Sequence, residues 1–463
     1  MAEARTLAER IASWAANLSY DKIPGEVVHE VKKRIIDSLG VALGAFHEEP
    51  VRIARAVALM SASTSYHATV WGTFHRCMAD HAAFANGCGV RYFDFNDTYL
   101  GKEALHPSDM IPALVAVAEA EDADGKRLIE GIVAAYEVAA RLADAYSIRA
   151  RGWDHVTYIA IATAVGVGKV MNLDEDRMTH AINLATVANN ALRQTRAGEI
   201  SMWKGCAAAN AARNGLFAAL LAKHGMTGPA PIFEGEMGFF KLVSGEPFSI
   251  DKMGGEDGEP FKVLQTSIKY WPVEYHAMSA VEAALRIVEE NGGTLKPEDI
   301  EHVEVRTFQV SYNIIVKDPE KWDPKTRETA DHSLPYIVAA ALLDGKVWLD
   351  TFKPERYLAK DVREVMKKMK VVVDPDHDKL YPIGIKNSIR VTLRGGKTLE
   401  AESTYPPGHW KNPLTDEQVE EKFWKLVSGL VDETKAREGL KMLWGIEKAD
   451  NIGAIFRKFT VIR

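Results

Sequence analysis

The most constraining feature of this sequence is a run of apolar, alanine-rich segments that fills the first 225 residues or so. In one segment Val28, Val31, Ile35 and Leu39 recur every three or four residues, as they do along one face of a helix. Similar helical patterns recur along the chain, at 50–61, 79–92, 127–145, 157–172 and 176–192. Because alanine side chains are small, these patterns predict helices that pack closely and bury one another.

The pattern changes after about residue 264. Residues Ile300–Val310 alternate between apolar and polar side chains, as a half-buried strand does. Ser388–Leu393 and Thr398–Ser403 flank the pair Gly395-Gly396, which is typical of a β-hairpin. Helical patterns lie between these strands, so this part of the chain is predicted to be an α/β module.

The last part of the chain is predicted to be helical again. Thr415 and Gln418 have the spacing of a capping box, and an apolar helical face follows them. The fold class predicted is therefore mainly α with α+β. A large discontinuous all-helical domain comprises residues 1–263 and 406–463, and a smaller α/β lid domain, residues 264–405, is inserted into it. A glycine- and proline-rich connection, 225–260, precedes the lid.

Composition excludes several classes of partner. The chain has 463 residues, of which 47% are hydrophobic and 26% charged, with a formal net charge of −7. An acidic balance of this kind gives no support for binding nucleic acid or an anionic membrane surface. The N-terminus lacks a signal-peptide core, and no apolar run has the length of a membrane span. We expect a cytoplasmic protein.

Cysteine usage predicts neither disulfides nor a metal cofactor. Cys77, Cys88 and Cys206 form no CxxC pair and match no iron–sulfur signature. Aspartate and histidine are plentiful, yet none shows the spacing of a metal-ligand set. The sequence also lacks a nucleotide-binding glycine motif. We therefore expect no cofactor.

One polar stretch, Asn86–Asp109, lies between two segments that look like buried helices. It contains Asp94, Thr98 and His106 among large aromatic side chains. A carboxylate loses water in such surroundings, and a group of acid, hydroxyl and imidazole is what proton transfer requires. Taken singly, these residues are explained as helix caps or loop histidines, with Ser108 or Asp109 capping the next helix. The whole cluster favours a catalytic site.

Four further segments carry polar residues where burial is expected. His155 stands just before an apolar helix, and the alternative is a histidine that caps the helix or has its hydrogen bonds satisfied within the core. Arg193 and Lys204 precede a helix of small residues whose exposed N–H groups and dipole suit a carboxylate. The alternative for Lys204 is a surface lysine that extends into water.

The remaining two segments belong to the α/β module. One contains Lys269, Glu274 and His276 among aromatic residues, and an aromatic core with outward-pointing polar groups is the alternative. The other places Tyr336 in the first turn of a buried-looking helix, where Asp331 or Ser333 could act as an ordinary N-cap.

Together these segments resemble the MmgE/PrpD family over essentially the whole chain. The resemblance is carried by the number and order of the motifs, which are DFNDT (94–98), HPSD (106–109), DHV (154–156), MWKG (202–205), GMTGPAPIFEG (225–235), KYWPVEYHAMSAVEAA (269–284), HSLPYIVAAALLDG (332–345) and YPPGHWKNPLT (405–415). It implies a helical domain with a smaller α/β lid, a homodimer and a site at the domain junction. The activities it implies act on small polycarboxylates without an iron–sulfur cluster.

The resemblance also implies site positions, which are Asp94, Thr98, His106, His155, Lys204, Lys269 and Tyr336. The long loop between Thr98 and His106, together with Glu274 and His276, looks like the 2-methylcitrate dehydratase branch, which belongs to propionate catabolism. The alternatives are decarboxylation of cis-aconitate and dehydration or epimerisation of another polycarboxylate. A non-catalytic helical binding protein is the contrasting class.

For dehydration we expect Asp94 and His106 to form an acid/base pair, with Thr98 orienting the hydroxyl. His155 and Tyr336 complete the set of donors. A tricarboxylate carries about three negative charges at neutral pH. We therefore expect it to be held by cations, namely Lys204, Lys269 and Arg193, with Glu274 and His276 as further binding residues.

Overall fold

The computed structural model describes residues 5–61, 65–197 and 200–462. Numbered in chain order, its helices are α1 Leu7–Asn17, α2 Gly25–Gly44, α3 Glu49–Ala58, α4 Ala79–Tyr92, α5 Ile111–Ala120, α6 Gly125–Ala145, α7 Val156–Val170, α8 Glu175–Ala188, α9 Ala207–Lys223, α10 Met278–Glu290, α11 Gln309–Ile315, α12 Arg327–Ala330, α13 Leu334–Asp344, α14 Pro354–Tyr357, α15 Lys360–Lys367, α16 Pro375–Asp378, α17 Asp416–Val427 and α18 Glu433–Trp444.

The strands are short and fewer. They are β1 His67–Thr69, β2 Arg76–Met78, β3 Asp97–Leu100, β4 Ala104–Leu105, β5 Ser267–Ile268, β6 Ile300–Thr307, β7 Met369–Val373, β8 Asn387–Leu393 and β9 Thr398–Ser403. The molecule is thus mainly helical with small sheets, which agrees with the predicted fold class at that level. None of the helices in the described ranges has both the length and the hydropathy that crossing a bilayer needs.

The chain divides into two compact units. One contains residues up to Ile268 together with the chain from Thr415 onward, and the other runs from Lys269 to Leu414. The breaks predicted from the sequence lie at residues 263/264 and 405/406. Whether the units are separate domains with a lid function stays a prediction.

The first unit is built around α7. Its residues are almost all buried, and α6, α8 and α9 pack against it. Small residues make this possible, because a Cβ added at Gly166 would lie 2.6 Å from the carbonyl oxygen of Gly131 on α6. Helix α4 packs against α2, α3, α5 and α9, and α17 returns from the end of the chain to pack on α2.

The prediction that this unit is all-helical is wrong in detail. Strands β1 and β2 form an antiparallel pair, and β4, β3 and β5 form a three-stranded sheet. In that sheet Asp97 is opposite Ile268 and Thr98 is opposite Ser267. These strands have two to four residues, too few for an alternating pattern to be recognised, and the β3–β5 pairing depends on contacts distant in sequence.

The second unit contains a four-stranded sheet in the order β7-β6-β8-β9. Strands β6 and β7 are parallel and the other neighbours are antiparallel. Helix α10 packs on β8 and β9, and α13 packs on α10. The predicted hairpin is confirmed: Gly395 and Gly396 join β8 to β9 with φ of 91° and 87°, a backbone conformation that favours glycine.

Connection 225–260 is tied to the first unit by buried groups. Phe233 and Phe239 are almost completely buried. Further along, the Glu137 carboxylate on α6 accepts hydrogen bonds from the backbone N–H groups of Gly254 and Lys262, at 2.7 and 2.8 Å. The connection therefore packs on the helices as part of the unit.

Candidate active site

The candidate site of the first unit starts where α4 ends. Asp94 follows this helix with φ of 52°, in the left-handed region that few non-glycine residues adopt. Its backbone N–H donates to the carbonyl oxygen of Arg91, which closes a tight turn. Such a backbone conformation persists only where the surroundings impose it, and it is found most often at functional sites.

The neighbouring Asp97 is enclosed by hydrogen-bond donors. Its carboxylate accepts from the Ser108 hydroxyl at 2.6 Å, from the Ser108 N–H at 2.9 Å and from the Tyr136 hydroxyl at 2.7 Å. Burial raises its pKa, although Ser108 and Arg34 act in the opposite direction. Every donor here is a fixed part of the fold, so Asp97 holds the turn in place.

The expected capping of α5 by Ser108 or Asp109 is wrong. Met110 precedes the helix, which has no side-chain cap. Ser108 and Asp109 instead accept hydrogen bonds from the Asn96 side chain, both at 2.9 Å. The Ser108 and Asp109 side chains that could have capped the helix hydrogen-bond to Asn96 and Asp97 instead.

His106 lies between Asp97 and Arg91, which was not among the predicted site residues. Its Nδ1 is 2.7 Å from the carbonyl oxygen of Asp97 and 3.2 Å from Oγ1 of Thr98. Its Nε2 is 3.0 Å from Nη2 of Arg91. Nη1 of the same guanidinium donates to Asp94. Arg91 therefore joins the two members of the predicted acid/base pair.

Lys204 brings a second cation to Asp94. It lies in a 3₁₀ turn, Met202–Gly205, just before α9, and only 7% of its surface is exposed. Its Nζ is 3.8 Å from Oδ2 of Asp94, while Oδ1 accepts from Arg91. The alternative of a lysine extending from the surface is wrong.

His155 reaches the same cluster from the start of α7. The centroid of its ring is 5.6 Å from that of His106. It makes no side-chain capping bond to α7, so the capping alternative is wrong. Burial lowers its pKa well below the usual range, and the imidazole is therefore neutral at neutral pH. Within the described part of the chain, its Nε2 is buried without a hydrogen-bond partner.

Asp154 and Arg196 support His155. Oδ1 of Asp154 is 3.2 Å from Nδ1 of His155, and Oδ2 accepts from Nε of Arg196 at 2.8 Å. Burial alone would raise the pKa of Asp154, but its electrostatic interactions with His155 and Arg196 lower it to about 2. Arg193 also lowers the pKa of Asp154. The pKa of Arg193 itself is lowered to about 10, by burial first and then by Arg149.

The second unit has its own buried polar cluster. Glu274 accepts from the backbone N–H of His276 and from its Nδ1, both at 2.8 Å. Burial alone would raise the pKa of Glu274, but the His276, His332 and Lys269 charges lower it to about 2. Lys269 is 1% exposed. The interpretation of these groups as outward-pointing polar residues is therefore wrong.

Tyr336 lies in the first turn of α13. Its hydroxyl donates to the carbonyl oxygen of Thr351, and burial raises its pKa. Ser333 accepts from the Tyr336 N–H at 3.1 Å and so caps the helix, as one alternative predicted. Helix capping therefore accounts for Ser333, and the Tyr336 hydroxyl is hydrogen-bonded to a backbone carbonyl.

Sequence reasoning thus selected Asp94, Thr98, His106, His155 and Lys204, which the first unit brings together, but it missed Arg91. A signal for Arg91 was present, since it is a charged residue among the small residues of NGCGVRY, one helical turn before Asp94. Asp154 and Arg196 were likewise not among the predicted site residues.

This cluster defines a class of site. A buried carboxylate and imidazole are groups that can transfer protons, and buried cations around them are suited to an anionic ligand. The chain belongs to the MmgE/PrpD family: the N-terminal domain of that family matches residues 9–251, and its C-terminal domain matches residues 271–448. The predicted family resemblance is confirmed.

Named relatives cover most of the chain. The 2-methylcitrate dehydratase of Salmonella typhimurium is 28% identical over 397 residues, 81% of this chain and 80% of the relative. A mitochondrial 2-methylcitrate dehydratase of Yarrowia lipolytica is 29% identical over 434 residues, 88% of this chain and 81% of the relative. The cis-aconitate decarboxylase of Mus musculus is 28% identical over 445 residues, 90% of this chain and 86% of the relative.

Proposed function

We propose that the protein is a hydro-lyase that removes water from a small tricarboxylate, converting 2-methylcitrate to 2-methyl-cis-aconitate without a metal ion. The observation that carries the proposal is the buried cluster in which Arg91 joins Asp94 to His106, with Lys204 beside Asp94. The names of the Salmonella and Yarrowia relatives support the choice of substrate.

Elimination of water needs a base for the C–H proton, an acid for the leaving hydroxyl and fixed positive charge near the developing enolate. Asp94 and His106 form the acid/base pair in this proposal, and Thr98 orients the substrate hydroxyl. Lys204 and Arg193 bind carboxylates, and His155 contributes the unoccupied Nε2 of a neutral imidazole.

The roles of residues in the second unit stay predictions. Lys269, Glu274 and His276 are predicted to bind substrate, and Tyr336 to act as a proton donor. Burial of Lys269 and the Glu274–His276 hydrogen bond are compatible with fixed binding groups. The Tyr336 hydroxyl would have to leave the Thr351 carbonyl before it could donate to a substrate.

The test is the ultraviolet absorbance of chelator-treated protein mixed with 2-methylcitrate and, separately, with citrate. We expect absorbance from the new conjugated alkene to rise faster with 2-methylcitrate, with or without chelator. His106→Gln should lower the rate about 100-fold or more, because it removes a proton-transfer group. Lys102→Met is the matched control for Lys204→Met, because Lys102 is an exposed lysine whose ammonium donates to the backbone carbonyl oxygen of Ala145.

The second candidate is a decarboxylase, which the Mus musculus relative favours. Release of carbon dioxide from cis-aconitate, with no alkene formed from 2-methylcitrate, would replace the dehydratase proposal with this one. Epimerisation of a polycarboxylate would form neither carbon dioxide nor a new alkene. Inactivity on all these compounds would leave a binding protein, for which stabilisation by tricarboxylates is the measurement.

We also propose that two copies of the chain form a homodimer. Ile53 and Val57 lie one turn apart on α3 and are each 51% exposed, and Phe74 is 75% exposed. Apolar side chains exposed on one helix face are typical of an interaction surface. A location in the cytoplasm stays a prediction, and one of the named relatives is mitochondrial.

A further inference from the structure

The two ring nitrogens of His106 meet partners of opposite polarity. Nδ1 lies 2.7 Å from the carbonyl oxygen of Asp97, which can only accept a hydrogen bond. Nε2 lies 3.0 Å from Nη2 of Arg91, and a guanidinium can only donate. Both contacts are hydrogen bonds in one state alone, the neutral imidazole with its proton on Nδ1 and its lone pair on Nε2.

The same guanidinium also fixes the state of Asp94. One carboxylate oxygen accepts from Nη1 of Arg91, and the other is 3.8 Å from the ammonium of Lys204. Arginine keeps its charge at any pH a protein experiences. Both Arg91 and Asp94 are almost completely buried, so their attraction is screened little by water. The contacts therefore favour an ionised carboxylate.

We propose that Arg91 is a positioning residue that divides the roles of the pair, holding His106 as a neutral base with Nε2 as the proton acceptor and holding Asp94 as an anion. The assignment of the base rests on the proposed function. The assignment of the tautomer rests on the hydrogen bonds alone, and it can be tested without substrate.

The proton balance follows from these two states. A substrate carboxylate competes with Nε2 for the guanidinium, which exposes the lone pair. The C–H proton then moves to Nε2, and the electron pair of that bond forms the alkene. Because Asp94 is held as an anion, it is not the acid of the pair proposed above. That role passes to Lys204, whose ammonium lies beside Asp94 and protonates the hydroxyl that leaves as water. The imidazolium returns its proton to Lys204 through solvent.

Several groups face His106 and set its titration. Arg91 comes from α4, Asp97 and Thr98 from β3, and His155 from the start of α7. Behind Arg91, Oδ1 of Asp109 lies 4.0 Å from its Nε, and burial raises the pKa of Asp109 to about 7. If the Arg91 charge were lost, the negative charge of Asp94 would no longer be balanced by it and would favour the protonated, positively charged form of His106.

The experiment is ¹⁵N NMR of histidine-labelled protein without ligand, with the His106 signals assigned by their loss in His106→Gln. We expect a protonated Nδ1 and an unprotonated Nε2. In Arg91→Gln the titration midpoint of His106 should rise by about one pH unit or more, because a cation in contact has been removed. Arg141→Gln is the control, since Arg141 also bridges two side chains, Glu137 and Glu259.

Enzyme kinetics supply the second measurement. In Arg91→Gln the acidic limb of the plot of kcat/KM against pH should shift to higher pH, by the same amount as the NMR midpoint. Arg91→Lys keeps the positive charge, so the acidic limb should return to its wild-type position. The value of kcat/KM should stay low, because one ammonium cannot reproduce the simultaneous contacts of the guanidinium with Asp94 and His106. A purely structural role would lower the rate and leave the limb where it is.

A proton on Nε2 in the wild-type protein, or an unmoved midpoint in Arg91→Gln, would overturn the proposal. If Arg91→Gln does not fold, the proposal is tested by the protonation state of Nδ1 and Nε2 in the wild-type spectrum and by the pH profile of kcat/KM in Arg91→Lys. A protein that gives the expected spectra but turns over no polycarboxylate would keep the positioning role and lose the proposed function.

Discussion

At the scale of single residues, surroundings separate two aspartates that the sequence places three positions apart. Asp97 is held by the hydroxyl groups of Ser108 and Tyr136, which keep the turn in place. Asp94 is held by the cations Arg91 and Lys204. Asp97 therefore serves the fold, whereas the cations beside Asp94 are groups that can also hold an anionic substrate.

A buried carboxylate away from the site gives a stability prediction. Burial raises the pKa of Glu119 on α5 to about 7, although its Oε2 accepts from the Thr69 N–H and hydroxyl. The folded state thus binds more protons than the unfolded state between pH 4.5 and 7, and stability falls as pH rises through that window. Glu119→Gln should remove this loss, which amounts to about 3 kcal/mol of unfolding free energy.

Denaturant unfolding at pH 4.5 and pH 8 measures the effect. The difference in stability between Glu119→Gln and the wild type should move in favour of the variant at the higher pH. Glu49→Gln, at an exposed position in the first turn of α3, is the control and should show no such change. Equal pH dependence in Glu119→Gln and the wild type would contradict the assignment.

At the scale of elements, close helix packing depends on glycines, which have no side chain. A Cβ at Gly166 of α7 would lie 2.6 Å from the Gly131 carbonyl oxygen and 2.7 Å from the Cβ of Ala135. Backbone groups of α6 cannot move aside without moving that helix. Helix α7, which packs this closely on α6, begins directly after His155.

Gly166→Ala should therefore destabilise the protein by about 1–3 kcal/mol, the usual cost of overpacking, despite the better helix propensity of alanine. Gly25→Ala is the matched control, because Gly25 starts α2 and a Cβ there meets nothing within 4 Å. We expect Gly25→Ala to be neutral or stabilising in thermal unfolding. A stabilised Gly166→Ala would show that the two helices have room to separate.

At the scale of the whole molecule, the end of the chain supports the site turn. Nζ of Lys422 on α17 lies 2.6 Å from Oδ1 of Asp37 on α2, and the same ammonium donates to the Phe95 carbonyl oxygen at 2.7 Å. Phe95 lies between Asp94 and Asp97, more than 300 positions earlier in the sequence. Removing the last helices would therefore leave a buried carboxylate and a site carbonyl without this cation.

Homodimer formation gives the second prediction at this scale. Size-exclusion chromatography with light scattering should give twice the chain mass of 51.2 kDa. The double variant Ile53→Glu and Val57→Glu should elute as a monomer, because burying two carboxylates in an apolar interface is costly. Leu358→Glu, at an exposed position of the second unit, should remain dimeric. A wild-type monomer would end the homodimer proposal.

Local pattern was enough for some of this architecture. Helical spacing predicted α2 and α7, because a buried helix face repeats every three or four residues whatever it packs against. Thr415 and Gln418 form the predicted capping box, and Gly395-Gly396 forms the predicted turn. Strands as short as β3 escaped prediction because three or four residues carry no period.

The sequence by itself determined the helices, the hairpin and the set of polar residues that could do proton chemistry, since these depend on neighbours a few positions away. Only the tertiary structure decided which of those residues meet. Arg91 contacts His106 and Lys204 approaches Asp94 because α4, β3 and the turn before α9 pack together. Hydrogen bonds and ion pairs act over a few ångströms in space, and distance along the chain does not show which groups come that close.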